Sequence, residues 1–237
     1  MSSPESIRPR KLSDQVQERL LHLIRDDRLA PGDALPSERE LMVRYQVGRP
    51  AIREAMQSLQ HSGVIEIRHG GRPRIASPSL DGLLEVLGPS MRHLLTHSQS
   101  SLDHLKEARV LLESEMARMA ATRRTEADIA ELQALLAEQD NLRTDSEAFL
   151  ESDGQLHRRI AALSGNPIFE TLAFGIFSWL RTFHTEQVRK RGLESLTLAE
   201  HRAIVEAIIQ GDAAGAASAM RAHLERANAL YHQDNAS

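Results

Sequence analysis

Residues 35–75, LPSERELMVRYQVGRPAIREAMQSLQHSGVIEIRHGGRPRI, hold two short helical patterns followed by two apolar strands around a basic, glycine-rich tip. Ser37 with Glu40 three residues on makes a capping box, which satisfies free backbone donors at a helix start. Tyr45-Gln46-Val47-Gly48 reads as a turn. Pro50 falls in the first turn of the next helix, where its missing N–H costs little. Ile52, Ala55, Met56 and Leu59 recur at helical spacing and give that helix a buried face. Gly63 is placed to end it in the left-handed conformation. Val64–Ile67 and Arg72–Ile75 then read as strands around His69-Gly70-Gly71. Helix, turn, helix and a two-stranded wing in this order predict a winged helix-turn-helix.

Leu12, Val16, Leu20, Leu23 and Ile24 precede the stretch at helical spacing, so a first helix is expected from about Ser13 to Arg28. Residues 1–11, with Arg8, Arg10 and Lys11, read as a flexible basic arm. Residues 12–76 form the expected DNA-binding domain and 77–82, Ser77-Pro78 above all, the expected linker. Residues 83–237 then carry helical patterns: Leu83 onward, Leu102 to about Arg123, Glu126–Leu142 and Ser146–Ser164. Ile168 to about Arg191, Thr197–Gln210 and Ala213 to about His232 complete the series, with Asp212 as an N-cap. The expected fold class is mainly α: an N-terminal winged helix-turn-helix plus a C-terminal antiparallel helical bundle of six or seven helices.

Composition agrees. Ala, Leu, Glu and Arg abound, whereas the 237 residues hold one Trp, two Tyr and five Phe, so an aliphatic helical core follows. The absence of cysteine excludes disulfide scaffolds and thiolate metal sites. No apolar run reaches the roughly 20 residues of a membrane helix, and the N-terminus lacks a signal-peptide core. A cytoplasmic protein is expected. The net charge of −4 conceals an asymmetry. Residues 1–76 hold 13 Lys+Arg against 10 Asp+Glu; the rest hold 16 against 23. The basic third suits a DNA-facing module on an acidic body.

The second helix of such a motif enters the major groove with its first residues at the base edges. Here these are Arg49, Pro50, Ala51, Ile52 and Arg53. Arg49 and Arg53, four apart, project from one face, and arginine can donate two parallel bonds to guanine. Ala51 can touch a thymine methyl, and Arg39 can reach the groove or a phosphate. Arg68, His69, Gly70 and Arg72 at the wing suit a minor groove or phosphates. Each arginine alone is as well read as a solvated surface charge; their joint order is what carries the DNA-reading assignment.

A second constellation lies in the bundle. Asp153 and His157 stand four apart on one helix, with His201 and His223 on later ones. Three imidazoles and a carboxylate suit a first-row divalent ion, zinc first, with nickel, manganese or iron also open. Spacing alone does not decide it, because such pairs arise by chance and a lone helical histidine is usually a surface residue. His93, His97, His104, His184 and His232 do not fit the pattern and are expected at the surface. Arg109 and Glu113 form another helical pair; a buried arginine wants a carboxylate, either as a structural ion pair or at a ligand site.

The runs KLSDQV, APGD, LPSERELM, VGRPAIREA, GNPIF and HRAIVEAI resemble the GntR superfamily of bacterial regulators, and within it the FadR branch with its FCD-type helical domain. The likeness spans about residues 10–232. It implies operator reading by Arg39, Arg49 and Arg53, and minor-groove entry by His69 and Gly70. It also implies a metal held by Asp153, His157, His201 and His223, with Arg109 and Glu113 at a carboxylate effector beside it. The implied protein is a homodimeric, ligand-responsive regulator, a repressor by this likeness. It would govern catabolism or transport of an organic acid or an acid sugar such as sialic acid. Many relatives carry Thr-Thr or Ser-Thr where this chain has Pro50-Ala51, which implies a different operator subclass. Two other classes compete: a metalloenzyme using the three histidines and Asp153, for which no base or nucleophile can be named, and an architectural DNA binder with a structural metal.

Overall fold

The computed structural model describes residues 10–68, 71–77, 79–184 and 193–230. They divide into two compact units, one up to Val86 and one from Leu87.

In the first unit, α1 (Leu12–Asp26), α2 (Glu38–Tyr45) and α3 (Arg49–His61) precede a two-stranded sheet of β1 (Ile65–Glu66) and β2 (Arg74–Ile75). The Ser37–Glu40 capping box forms: the Ser37 backbone N–H donates to Glu40 Oε2 at 2.7 Å, and the Glu40 N–H to Ser37 Oγ. Gln46 turns the chain left-handed after α2, and Gly63 does so after α3 at φ +69°. Val16, Leu20, Leu41, Ile52, Leu59 and Ile65 bury themselves in one core. Each fully buried aliphatic side chain contributes roughly 1.5–3 kcal/mol.

The strands are shorter than the four residues expected of each. They pair antiparallel, Ile65 with Ile75 and Glu66 with Arg74. Pro73 has no N–H to extend the ladder, and its carbonyl instead accepts from the Leu35 N–H. Ala34 bridges Arg74 from the other side, a third contribution to the wing base.

The remaining helices are α4 (Leu80–His97), α5 (Gln99–Arg123), α6 (Glu126–Asn141), α7 (Ser146–Ala162), α8 (Pro167–His184), α9 (Glu194–Gln210) and α10 (Ala213–Leu230). Seven helices among the described residues match the expected bundle. Part of the expected linker, 77–82, is helical: Ser79 Oγ accepts from the Gly82 N–H at 2.9 Å and starts α4 at Leu80. The boundary between the two units falls inside α4. The expected helix ends beyond His184 and Leu230 lie outside the described residues, as do residues 1–9 of the arm.

Helix α5 runs through the middle of the second unit, against α7, α8, α9 and α10. Ala117, Ala120 and Ala121 are fully buried on it, so partner helices approach closely. Leu132, Leu156, Ile160, Ile204, Ile208 and Leu224 fill the core around them. At Gly154 of α7 an added Cβ would sit 2.8 and 2.9 Å from Cδ1 and Cζ of Phe177 of α8. Glycine is therefore required for α7 and α8 to pack at the depth of Asp153 and His157.

Candidate DNA-reading face and metal centre

Helix α3 begins with Gly48 as N-cap, and Arg49, Pro50 and Ala51 fill its first turn. Ile52, Ala55, Met56 and Leu59 face the core, which leaves Arg49 and Arg53 outward with side chains 64% and 62% exposed. Glu38 at the start of α2 stands 3.8 Å from the Nε of both, one carboxylate between two guanidiniums. Arg39 beside it is exposed. At the wing, Arg72 donates to Glu40 at 3.0 Å, and Arg68 pairs with Glu66 at 3.4 Å. The Ser37 backbone and hydroxyl bonds, then Arg72, hold the Glu40 carboxyl below the usual range. His69 and Gly70 lie outside the described residues. Exposed pairs of this kind are worth roughly 0–1 kcal/mol each, so a phosphate or a guanine edge can replace the carboxylates at little cost.

The four bundle residues do converge. One ligand atom from each of Asp153, His157, His201 and His223 lies within 4.8 Å of all the others. Asp153 and His157 come from one face of α7, His201 from α9 and His223 from α10. His201 Nε2 is 3.2 Å from Asp153 Oδ1 and 3.4 Å from His223 Nε2. His157, His201 and His223 are almost wholly buried.

What turns these rings inward is a set of outer partners. His157 Nδ1 bonds Glu113 Oε2 in a very short contact. His201 Nδ1 bonds Gln139 Oε1 at 2.8 Å, and His223 Nδ1 bonds Glu200 Oε2 at 2.8 Å. Each partner atom is an oxygen, so each Nδ1 is the donor in its bond, and the opposite nitrogen, Nε2, is the one left for a metal. His157 Nε2 is buried without a hydrogen-bond partner among the described residues. Three imidazole nitrogens and a carboxylate oxygen thus converge on one buried point from three helices. The residues therefore fit a divalent metal ion.

Electrostatics keep the ligands in their binding forms. Burial lowers the His223 imidazole to about 4 despite the Glu200 bond, so it is neutral at neutral pH. Burial also lowers His201, against the pull of Asp153. Burial alone would raise Asp153, but the bond and charge of His201, then His157 and His223, hold it far below the usual carboxylate range. Glu113 would likewise rise on burial; Arg109 and then His157 bring it to about 2.

Arg109 is buried on α5, its Nε donating to Glu113 Oε1 at 2.6 Å and its guanidinium 5.4 Å from the Phe177 ring centroid. Glu113 thus joins Arg109 to a histidine of the cluster, a link the sequence did not reveal. Gln139, Glu200, Arg226 and Glu38 were also missed: no local spacing relates them to the residues they touch. Of the other histidines, His93, His97 and His104 are exposed, while His232 and the side chain of His184 lie outside the described residues.

Residues 12–75 match the family model described as bacterial regulatory proteins, gntR family, and residues 104–226 match the FCD domain. The HTH-type transcriptional repressor NanR of Salmonella schwarzengrund is 35% identical over 226 residues, covering 94% of this chain and 85% of its own. The chain belongs to the gntR family of bacterial regulatory proteins. The NanR repressor of Citrobacter rodentium is 35% identical over 94% of this gntR-family chain and 86% of its own. Among solved structures, Streptococcus agalactiae GntR superposes with a TM-score of 0.61 at 29% identity, over 90% of this chain and 97% of that one. Escherichia coli McbR/YncC shares the fold with a TM-score of 0.52 at 18% identity, over 96% and 100%. This gntR-family protein is a ligand-responsive transcription regulator that pairs a DNA-binding helix-turn-helix domain with an FCD effector domain. None of its described helices is long and apolar enough to cross a membrane.

Proposed function

We propose that the protein is a metal-dependent repressor of genes for an organic acid or acid sugar, sialic acid first among them. It acts in the cytoplasm as a homodimer, with each winged domain on one half-site of a near-palindromic operator. Arg49 and Arg53 read guanines in the major groove, Ala51 and Pro50 meet base edges beside them, and Arg39 reaches the groove or a phosphate. Arg68, His69, Gly70 and Arg72 take the wing contacts. The name of the 35%-identical relatives, HTH-type transcriptional repressor, supports the repressor.

The observation that carries the effector half is the buried Asp153–His157–His201–His223 cluster with Arg109 one carboxylate away. Those four residues would hold zinc, or failing that nickel, manganese or iron, and the ion supplies a positive, oxygen-seeking point for an acid ligand. Arg109 uses its Nε on Glu113, and its terminal amino groups are the donors that pair with the ligand carboxylate. Glu113 positions both Arg109 and His157. The regulator reading is favoured over an enzyme because the relatives of this chain are regulators. Such a ligand switches the protein only by favouring one arrangement of the DNA domains by a differential free energy.

Isothermal titration of zinc-loaded protein with sialic acid, hexuronates and simple dicarboxylates tests this reading. One acid is expected to bind the wild type and to lose at least tenfold in affinity in Arg109→Ala. Equal binding by the two proteins, or none to either, would contradict it.

A further inference from the structure

Two chains of the same order lead into the cluster. Arg109, Glu113 and His157 form one; Arg226, Glu200 and His223 form the other. In the second, Arg226 Nε donates to Glu200 Oε1 at 2.5 Å and its Nη2 to Glu200 Oε2 at 2.6 Å, a two-point grip. A further bond from Arg226 to Thr197 Oγ1, 3.2 Å long, fixes the guanidinium. Glu200 Oε2 is also the atom that accepts from His223 Nδ1. The pair pulls the Glu200 carboxyl below its ordinary range: burial opposes ionisation, and the His223 and Arg226 bonds overcome it. The third histidine is treated differently. His201 is backed by the neutral amide of Gln139, which is 1% exposed and whose Nε2 has no partner among the described residues.

We propose that Glu200, held by Arg226, and Gln139 are positioning residues of the metal centre, which fix His223 and His201 as Nε2 ligands and set how tightly the ion is held. An acceptor on Nδ1 fixes the ring tautomer and makes the opposite nitrogen a better ligand, and a carboxylate does so more strongly than an amide. His223 is therefore the strongly backed ligand and His201 the weakly backed one. The two chains also divide the labour. Arg109 stands at the proposed effector contact, so its carboxylate serves both metal and effector. Arg226 is engaged with Glu200 and Thr197 and serves the metal alone. The inference rests on the reading of the cluster as a metal site, but not on the identity of the effector.

The test is competitive zinc titration of the full-length protein against a chromogenic chelator, with melting of the metal-free chain as the check on folding. Glu200→Gln and Gln139→Leu are expected to weaken zinc by about 10–100-fold, the usual cost of losing an outer partner, in protein whose metal-free melting curve remains a single cooperative transition. Gln139→Glu, which backs His201 with a carboxylate, is expected to tighten zinc, an effect that a purely structural role for Gln139 does not give. Glu206→Gln, an exposed α9 carboxylate bonded to Gln210, is the control and should not matter. Should Glu200→Gln fail to fold, Arg226→Gln keeps the carboxylate and must weaken zinc by a smaller factor. Zinc held within about twofold by both Glu200→Gln and Gln139→Leu, or loosened by Gln139→Glu, would overturn the inference while leaving the metal site standing. Wild type that takes up no more zinc than Asp153→Ala would bring down the metal reading itself.

Discussion

The reading face and the metal centre use the same chemistry, charged side chains in pairs, to opposite ends. On α3 the charges are loose. Arg49 and Arg53 are more than half exposed, and Glu38 faces both at a distance too long for a firm bond. In the bundle they are locked: Arg109 and Glu113 are buried and bonded at 2.6 Å, and Glu113 is bonded again to His157. A weak exposed pair is easily exchanged for a DNA partner, whereas a buried network holds rings in place for one guest. The difference explains why removing a charge should hurt folding in one region and only binding in the other.

The largest effect is expected where the network is locked. Glu113→Ala leaves Arg109 buried without its carboxylate and should cost about 3–5 kcal/mol of stability, measured by denaturant unfolding. If it cost less than 1 kcal/mol, the buried pair would not be holding the centre. Gly154→Ala pushes a methyl group into Phe177 and should cost about 1–3 kcal/mol, with weaker zinc retention because α7 carries two of the ligands. On the reading face, Arg53→Ala should leave the melting temperature almost unchanged. It should weaken binding to a selected operator by about 1–3 kcal/mol and relax preference at one base pair. Glu38→Gln, which frees both arginines, should tighten DNA binding by less than about 1 kcal/mol; a loss instead would mean that Glu38 aims them.

The bundle should also show a pH dependence of its own. His223 falls from 6.5 to about 4 on folding, and His201 falls as well. Below 6.5 the unfolded chain takes up protons that the folded chain refuses, so folding loses stability as pH falls from 6.5 toward 4. Chelated protein should therefore melt progressively lower across that window, and metal-loaded protein should lose its ion there.

Legibility in the sequence followed the same divide between local and distant partners. The Ser37–Glu40 box, the αL position of Gly63 and the helix faces could be read, because each depends on neighbours three or four residues away. Asp153 with His157 was visible as a pair for that reason. Its meeting with His201 and His223 was not visible from spacing; it came from the family likeness, and the folded bundle brings the four atoms together. Gln139 reaches His201 across 62 positions, and Glu113 reaches His157 across 44. Partners so far apart leave no periodic trace. The strands are shorter than their apolar runs because Pro73 ends the ladder early, and α4 starts before its apolar pattern because Ser79, in a loop-like Ser-Pro-Ser run, caps it.

In the proposed switch, occupancy of the bundle governs the reading face. Fluorescence anisotropy of DNA selected by the zinc-loaded protein from a random pool tests it most directly, with and without sialic acid. The acid is expected to weaken binding at least tenfold in the wild type and to leave Asp153→Ala unmoved. Wild-type binding that stays the same with this and every other acid tested would contradict it.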